Sequence, residues 1–346
     1  MRFYEDPSTI YLDSAKAGPM YYELLDWRNK YEKNSLIKKS QIRESHKDDV
    51  IKVEKNLSKF FNVKTGDVFF SNSFSRGFHS LVSQFKGEPS FLVLENDYPS
   101  ISEAIIKNNF NIIYVKNDLY VEENIKIAVE KYQPDFLVIS VIQWIDGIKI
   151  DLNFLKKLKS NNKQLSIIAD GTQFCGTCEF DFNNSPFEVL ISSGYKWMLA
   201  GYGVAFLLVK KDFYKNKFLQ LNSSEFKKAI DIGHYDMLAI GSLEFSLNKL
   251  STIINKIEKK LYDLSKYVKV ELENIDMLDS KIKMRKSHST IYNISDPEGR
   301  LYKHLTSNNI ICSQRGTGVR VSFNFFNTKA EIKKFIKTLK SFSLSP

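Results

Sequence analysis

Short apolar runs rich in β-branched and aromatic residues recur through the first two thirds of the chain, with stretches of helical periodicity between them. Seven of these runs have the length and composition of strands: residues 68–71, 91–94, 112–115, 136–141, 165–169, 189–192 and 204–209. Some are apolar without alternation, which is typical of strands buried on both faces. The pattern predicts an α/β fold with a mostly parallel, seven-stranded sheet covered by helices.

The pattern changes in the last third of the chain. Residues 238–272 are dominated by helical periodicity, a polar and strand-poor stretch follows, and the chain closes with a strand at 318–323 and a helix at 329–342. Repeats and low-complexity tracts are absent from the sequence, so the parts are expected to pack as one unit. The expected organisation is an N-terminal segment 1–20, a large domain 21–225 and a smaller α+β domain 226–346.

Composition indicates a soluble globular protein. The chain has 346 residues, 43% of them hydrophobic and 26% charged. No apolar run reaches the roughly 18 residues that a membrane span needs, and the start of the chain lacks the apolar core of a signal peptide. We expect a cytoplasmic protein with no membrane partner.

The net charge of +10 raises nucleic acid or an acidic membrane as a partner. However, the lysines scatter along presumed helix faces, as at 30–39 and 256–269, with acidic and neutral polar residues between them. This spacing favours a solvated surface, and no nucleic-acid partner is expected. The alternative, a basic nucleic-acid-binding protein, predicts DNA binding that weakens with salt.

The three cysteines favour packed, reduced thiols. Cys175 and Cys178 form a lone Cys-x-x-Cys with no second pair and no histidine couple nearby, so neither zinc nor any other metal is expected. A redox dithiol needs its first cysteine at a helix N-terminus, whereas this pair lies in a turn between two predicted strands.

Two charged residues stand at the ends of neighbouring predicted strands. Asp170 directly follows the run 165–169, and Lys196 lies just past the run 189–192, so a sheet brings both to one edge. A lysine amine forms a Schiff base with an aldehyde cofactor, and a carboxylate beside the ring nitrogen keeps that nitrogen protonated. Because most lysines are surface charges, the order and setting of the two residues carry the inference. They predict a pyridoxal-phosphate site.

A second feature is typical of phosphate binding. Residues 72–75, Asn-Ser-Phe-Ser, follow a predicted strand and precede the helix-like run 77–85. Backbone donors at such a helix start make an anion site, although serine is a common N-cap without any ligand.

Taken together, these motifs resemble the class V aminotransferases of the fold type I pyridoxal-phosphate enzymes, which include cysteine desulfurases, kynureninase-like enzymes and isopenicillin-epimerase-like proteins. The resemblance also covers Ile-Tyr-Leu-Asp-Ser-Ala-Lys-Ala-Gly-Pro at 10–19, Glu-Asn-Asp-Tyr-Pro-Ser at 95–100 and the stretch from Arg320 to Thr328. It implies pyridoxal 5′-phosphate as cofactor, a homodimer with active sites at its interface, and an N-terminal segment that contributes to the site.

The resemblance also implies roles for particular residues. Phosphate contacts fall on the Phe74 amide and the hydroxyls of Ser75, Ser193 and Tyr195, and the ring that stacks on the cofactor is Tyr98. Gln143 and Gln173 match polar groups near the cofactor, with Gln173 at its phenolic oxygen. Tyr195 departs from the family pattern, which has histidine there, and a phenol is a poorer acid or base at neutral pH.

Substrate contacts fall on two arginines. Arg320 matches the family arginine that clamps the substrate α-carboxylate, and Arg315 is a second candidate. His234 stands where the family has a threonine that reaches the partner subunit's phosphate.

The implied reaction begins with Lys196 and Asp170 and ends, most simply, in transamination. Desulfuration, C–S bond cleavage and epimerisation share the early steps. Desulfurases use a mobile cysteine loop, and Cys312 lies in a connection that looks too short for one. A protein that binds the cofactor without turnover is the alternative of another class.

Overall fold

The computed structural model describes residues 1–4, 6–231 and 233–343. Its strands are β1 (Ile10–Tyr11), β2 (Gly66–Ser71), β3 (Ser90–Leu94), β4 (Asn111–Val115), β5 (Phe136–Ser140), β6 (Ser166–Asp170), β7 (Val189–Ser193), β8 (Ala205–Lys210), β9 (Ile291–Ser295), β10 (Ile310–Ile311), β11 (Ser313–Arg315) and β12 (Gly318–Ser322).

The helices lie mainly between these strands and in the last third of the chain. They are α1 (Tyr22–Lys38), α2 (His46–Phe60), α3 (Phe74–Val82), α4 (Pro99–Lys107), α5 (Val121–Tyr132), α6 (Leu152–Asn161), α7 (Ser223–Ile230), α8 (Met237–Ser251), α9 (Ile254–Glu273), α10 (Ser280–Lys283), α11 (Arg300–Ser307) and α12 (Lys329–Ser343).

The central sheet has seven strands in the order β2-β8-β7-β6-β5-β3-β4. Strand β8 runs antiparallel to both neighbours, and the other pairings are parallel. Alternate residues of one strand enter two separate cores: Leu137 packs in one and Val138 in the other. Both faces are therefore covered, which explains the unbroken apolar runs. The predicted fold class and all seven predicted strands are confirmed.

A smaller three-stranded antiparallel sheet, in the order β11-β12-β9, lies in the C-terminal part. It shares a core with α9, α11 and α12, and the N-terminal strand β1 joins this core by pairing with β10. The stretch before residue 318 is therefore richer in strands than its polar pattern predicted. Strand β9 reads Ile-Tyr-Asn-Ile-Ser, and its two polar residues interrupt the apolar run, so its signal is weak.

Packing crosses the proposed boundary at residue 225. Helix α8 contacts α1 and α2 and contributes to the core on their side of the large sheet. The division into domains 21–225 and 226–346 stays a prediction. Within the described ranges, no helix has both the length and the apolar character needed to cross a membrane.

Candidate active site

Asp170 and Lys196 lie in one cleft at the carboxyl edge of the parallel strands. Asp170 ends β6, directly opposite Ser140 at the end of β5. Lys196 lies in the turn that follows β7, the next strand along the sheet. Both side chains line the cleft, as the order of strands and polar residues predicted.

The Lys196 amine is buried and has no hydrogen bond or ion pair among the residues described. Its Nζ atom lies 6.0 Å from the ring centre of Tyr98 and 5.7 Å from that of Tyr195. Burial lowers the pKa of the Lys196 ammonium to about 8; the Asp170 charge opposes the shift, and the charges of Arg320 and Arg315 add to it. About a tenth of the amine is therefore neutral and nucleophilic at pH 7, compared with less than about a thousandth for an ordinary lysine.

Asp170 is held in place by the turn that follows it. The Thr172 amide donates to its Oδ1 at 2.8 Å, and the Thr172 hydroxyl accepts from the Ser193 amide at 3.2 Å. Burial raises the pKa of Asp170 to about 6, against the hydrogen bonds from Thr172. Ionisation of this buried carboxylate is costly, so a cationic ring nitrogen beside it would stabilise its charged form.

The N-terminal segment covers the lysine turn. The Gly18 amide donates to the Tyr195 carbonyl at 2.8 Å, and a Cβ on Gly18 would lie 2.1 Å from the Lys196 carbonyl oxygen. Only glycine fits so close an approach. The contribution of residues 1–20 to the active site stays a prediction, which this contact supports.

One end of the cleft, called the serine end, is formed by Ser73, Phe74, Ser75 and Ser193. Helix α3 begins here, and the Ser73 hydroxyl caps it by accepting from the Arg76 amide. The helix N-terminus and the hydroxyls together favour an anion.

The Phe74 amide is not a free donor for a ligand in the cleft. It donates to the Ser193 hydroxyl at 2.8 Å, because that side chain lies directly over the helix start. The Ser75 hydroxyl bonds the Ser100 hydroxyl at 2.8 Å. Direct contact of phosphate with the Phe74 amide stays a prediction, and the Ser193 hydroxyl keeps its own hydrogen for a ligand.

Aromatic rings form the walls beside Lys196. Tyr98 packs edge to face on Phe74 and on Trp144, with ring centres 5.9 Å apart in both cases. Buried Asp97 fixes the Tyr98 backbone by accepting from its amide at 2.7 Å. Tyr195 stacks on Tyr202 at 4.6 Å. Burial raises the pKa of Tyr195 to about 12, so this phenol does not replace the titrating histidine of the family pattern.

The two predicted glutamines have different positions. Gln173 lines the cleft, with its amide nitrogen donating to the Ala15 carbonyl at 2.9 Å and its oxygen accepting from Trp197 at 2.7 Å. Gln143 does not line the cleft: it is buried and its amide nitrogen donates to the Ser140 carbonyl. The neighbouring Trp144 reaches the cleft instead.

Trp144 lies in the cleft wall, Arg315 and Arg320 adjoin it, and Asp13 pairs with Arg320; these four residues are called the arginine end. Arg320 is 2% exposed, and its Nη1 donates to the Trp144 carbonyl at 2.8 Å. Its Nε and Nη2 atoms are buried and have no hydrogen-bond partner in the described part of the chain, and Nη2 lies 3.5 Å from Asp13 Oδ1. Burial lowers the pKa of Arg320 to about 10, against the Asp13 charge, which still leaves a cation at neutral pH.

Arg315 and His234 complete the predicted residues. The Arg315 guanidinium lies 6.0 Å from the Trp144 ring centre. His234 lies outside the cleft, in a neighbouring pocket that it shares with Ser73, and contacts Arg43 at 3.1 Å. Its proposed contact with a partner's phosphate stays a prediction.

Sequence reasoning missed several residues that shape the site. Thr172, Asp97 and Ser140 lie at strand ends beside residues that were predicted, so the strand-end rule would have found them. Asp13 lies within a motif that was noticed but given no role. Its partner Arg320 is more than 300 residues away, and no local pattern reports that contact.

The three cysteines are buried and free. Cys312 lies in the single-residue connection between β10 and β11, and burial raises its pKa to about 12. Burial also raises the pKa of the Cys175 and Cys178 thiols. None of the three lines the cleft, so no cysteine nucleophile is placed there.

Comparison with solved structures shows a shared fold. A NifS-like protein from Rickettsia africae ESF-5 superposes with a TM-score of 0.80 at 14% identity, covering 97% of this chain and 100% of that one. A C-DES variant with glycine covalently linked to its PLP cofactor superposes with a TM-score of 0.82 at 13% identity, covering 96% of each chain.

Sequence comparison gives the family. The uncharacterized protein C11D3.10 of Schizosaccharomyces pombe is 23% identical over 317 residues, which span 82% of this chain and 72% of that protein. The family model described as aminotransferase class-V matches residues 10–335, nearly the whole chain and every motif of the cleft. The chain therefore belongs to the class V aminotransferase family.

Proposed function

We propose that this protein is a pyridoxal-phosphate-dependent enzyme that transfers an amino group from an amino acid, with Lys196 as its central residue. One observation carries the proposal. Among the residues described, the buried Lys196 amine has no hydrogen-bond partner and shares a cleft with the buried Asp170 carboxylate; Arg320, with two unbonded donors, adjoins the cleft wall at Trp144. These are the three groups that the chemistry requires.

The residues present fit the cofactor, and family membership supports pyridoxal 5′-phosphate. The serine end offers hydroxyls and a helix N-terminus for the phosphate, Tyr98 offers a ring face, and Asp170 offers a carboxylate for the ring nitrogen. When bound, the cofactor supplies an aldehyde that condenses with amines and a ring that takes up electrons.

Lys196 has the properties of both an attachment point and a base. Its lowered pKa makes the neutral amine available, and its position between Tyr98 and Tyr195 leaves the Nζ lone pair unoccupied. A neutral Nζ would accept the proton that leaves the substrate α-carbon; passing it to a second carbon would serve transamination, and returning it to the α-carbon would serve racemisation. Tyr195 takes no part in this transfer near neutral pH, because its phenol stays protonated.

Arg320 supports an amino acid as substrate. Its Nη1 is fixed by the Trp144 carbonyl, which leaves Nε and Nη2 side by side as two donors without partners. A carboxylate accepts two parallel hydrogen bonds from such an edge. A buried guanidinium left partly unbonded is costly, so a ligand at this place is the physical explanation.

The alternative reaction is cleavage of a C–S bond. The fold likeness to C-DES, whose structure was obtained as a cystine C-S lyase with cysteine persulfide, motivates it. Desulfuration with a cysteine nucleophile of the chain itself is less favoured, because Cys312 is buried in a single-residue connection. Transamination and elimination differ in their products, so one assay separates them.

Two further features are proposed with the reaction. We infer a cytoplasmic homodimer in which His234 and Arg43, both exposed beside the serine end, reach the partner's cofactor phosphate. Analytical ultracentrifugation gives the dimer dissociation constant. Activity that falls when the protein is diluted below this constant would support the arrangement.

The decisive test is a screen of amino acids with the cofactor-loaded protein. Each amino acid is assayed for spectral conversion and separately for keto acid, sulfide and racemised product. Keto acid formed in proportion to the aminated cofactor supports transamination. Sulfide or pyruvate formed catalytically from cystine or cysteine would replace this proposal by the lyase reaction, and cofactor binding without any product would identify a non-catalytic binder.

A further inference from the structure

Asp13 is a buried carboxylate to which the proposed reaction gives no task. It is 2% exposed, and the Ser313 hydroxyl donates to its Oδ2 at 2.6 Å. Its Oδ1 has no hydrogen-bond partner and lies 3.5 Å from Arg320 Nη2. Lys16 is within 3.9 Å of Oδ2, but its side chain is 60% exposed, so water screens its charge. The charge of Asp13 therefore acts mainly on Arg320.

The distance between these two groups is informative. At 3.5 Å the pair is an ion pair but is longer than a good hydrogen bond, so Asp13 offsets the charge of Arg320 without occupying its donors. The Nε and Nη2 donors of Arg320 have no hydrogen-bond partner among the residues described, and a ligand carboxylate that reached them would supply both bonds. Such a carboxylate enters beside the negative charge of Asp13, which is itself buried.

The charges at the arginine end determine how many ligand carboxylates it can neutralise. Arg315 and Arg320 contribute two positive charges and Asp13 one negative charge, and Arg315 has no ion pair among the residues described. One substrate carboxylate makes the end neutral. A second carboxylate on the same substrate leaves an excess negative charge in a poorly hydrated cleft, which is unfavourable.

We propose that Asp13 is a specificity-determining residue that restricts the cleft to amino acids with one carboxylate and an uncharged side chain. This inference rests on the proposed function and adds the substrate class to it. Asp13 acts by electrostatic exclusion of a second acidic group and does not itself react.

The test compares near-isosteric substrates that differ by one charge. The ratio of kcat/KM for glutamate over glutamine, and for aspartate over asparagine, is measured in the wild type and in Asp13→Asn. The wild type is expected to prefer the amides. The variant is expected to shift both ratios toward the acids by on the order of tenfold, the effect of removing one charge about 10 Å away at an effective dielectric constant of about 20.

Two further variants separate charge from shape. Ser313→Ala removes the hydrogen bond to Asp13 but no charge, so it should leave both ratios unchanged. Arg315→Gln removes one positive charge at a half-buried position where folding is not at risk, and it should strengthen the preference for amides. Because each readout is a ratio, a general loss of activity in a variant cancels.

The same comparison works without turnover. Calorimetric binding of glutarate and of its monoamide to the cofactor-loaded protein gives a ratio of dissociation constants that should shift in the same direction. A wild type that prefers the acids, or ratios that Asp13→Asn leaves unchanged, would overturn the inference. Failure of the proposed function is a separate outcome, seen as a cofactor spectrum that no amino acid alters.

Discussion

The serine end and the arginine end of the cleft are built in opposite ways. At the serine end the Phe74 amide donates to Ser193 and the hydroxyls of Ser75 and Ser100 bond each other, while the Ser193 hydroxyl hydrogen is left for a ligand. At the arginine end, two buried nitrogens of Arg320 and an oxygen of Asp13 have no hydrogen-bond partner among the residues described. The first end is held mostly by its own contacts, whereas the second has charged donors that a ligand would satisfy.

The difference indicates which end sets the reaction class and which sets the substrate. Groups that hold a permanent cofactor benefit from being preorganised by their own structure. Groups that meet a changing substrate must leave donors free. Substitutions at Lys196 and Asp170 should therefore abolish the reaction or change its type. Substitutions at the arginine end should mainly change which substrate is used.

The largest expected effect is that of Lys196→Ala. Loss of the attachment amine and of the base should lower turnover by about 10⁴-fold or more. Stopped-flow spectra and product assays measure it, with Lys211→Ala, an exposed lysine after β8, as the matched control. Retention of more than a few per cent of activity by Lys196→Ala would show that the chemistry does not depend on this amine.

Arg320→Gln should raise KM for the amino acid roughly 10- to 100-fold, since two charge-assisted hydrogen bonds to the carboxylate are lost. It should also destabilise the protein by about 3 kcal/mol, because Asp13 is left buried without its counter-charge. Steady-state kinetics and urea unfolding measure the two effects. An unchanged KM would mean that the substrate carboxylate binds elsewhere.

Asp170→Asn should stabilise the cofactor-free protein while it impairs the reaction. The folded-state pKa of Asp170 is raised from 3.8 to about 6, so ionisation costs stability, and this cost appears as the pH rises from about 4 to about 6. Asparagine can still accept from the Thr172 amide. We expect a gain of about 3 kcal/mol at pH 8 that vanishes below pH 4, measured by urea unfolding. A destabilised variant at pH 8 would show that Lys196 already compensates the carboxylate.

The smallest expected effect is that of Tyr195→Phe. The pKa of Tyr195, raised by burial to about 12, keeps the phenol protonated throughout the working range, and the ring stack on Tyr202 survives the change. The pH profile of kcat/KM between pH 6 and 9 should keep its shape. If an ionisation seen in the wild-type profile between pH 6 and 9 were missing from the Tyr195→Phe profile, the phenol would have a role in proton transfer.

The serine end and the lysine turn could be predicted from sequence because their chemistry is local. Each key residue follows a strand that its own apolar run identifies, and a parallel sheet then brings the strand ends together. Asp170, Lys196 and Ser75 were found in this way, whereas Tyr98 was identified through the family resemblance alone. Thr172 follows the end of β6 and falls under the same rule, although it was given no role.

The arginine end depends on contacts that no local pattern carries. It is assembled from the N-terminal segment, the loop after β5 and the small sheet, where Asp13 bridges to Ser322. The strand β9 that supports β12 was itself missed, since its polar positions obscure the alternation. Gln143 and Trp144 are a further example. The end of β5 was correctly placed at the cleft, but only the fold shows that Trp144, and not Gln143, faces the cleft.

The central claim is that Lys196 carries the cofactor, and borohydride reduction of the purified protein loaded with pyridoxal phosphate tests it most directly. Peptide mapping by mass spectrometry should place the phosphopyridoxyl group on the peptide that contains Lys196, with loss of the visible absorbance. A protein that stays colourless, or a label spread over exposed lysines with Lys196 unmodified, would contradict the account.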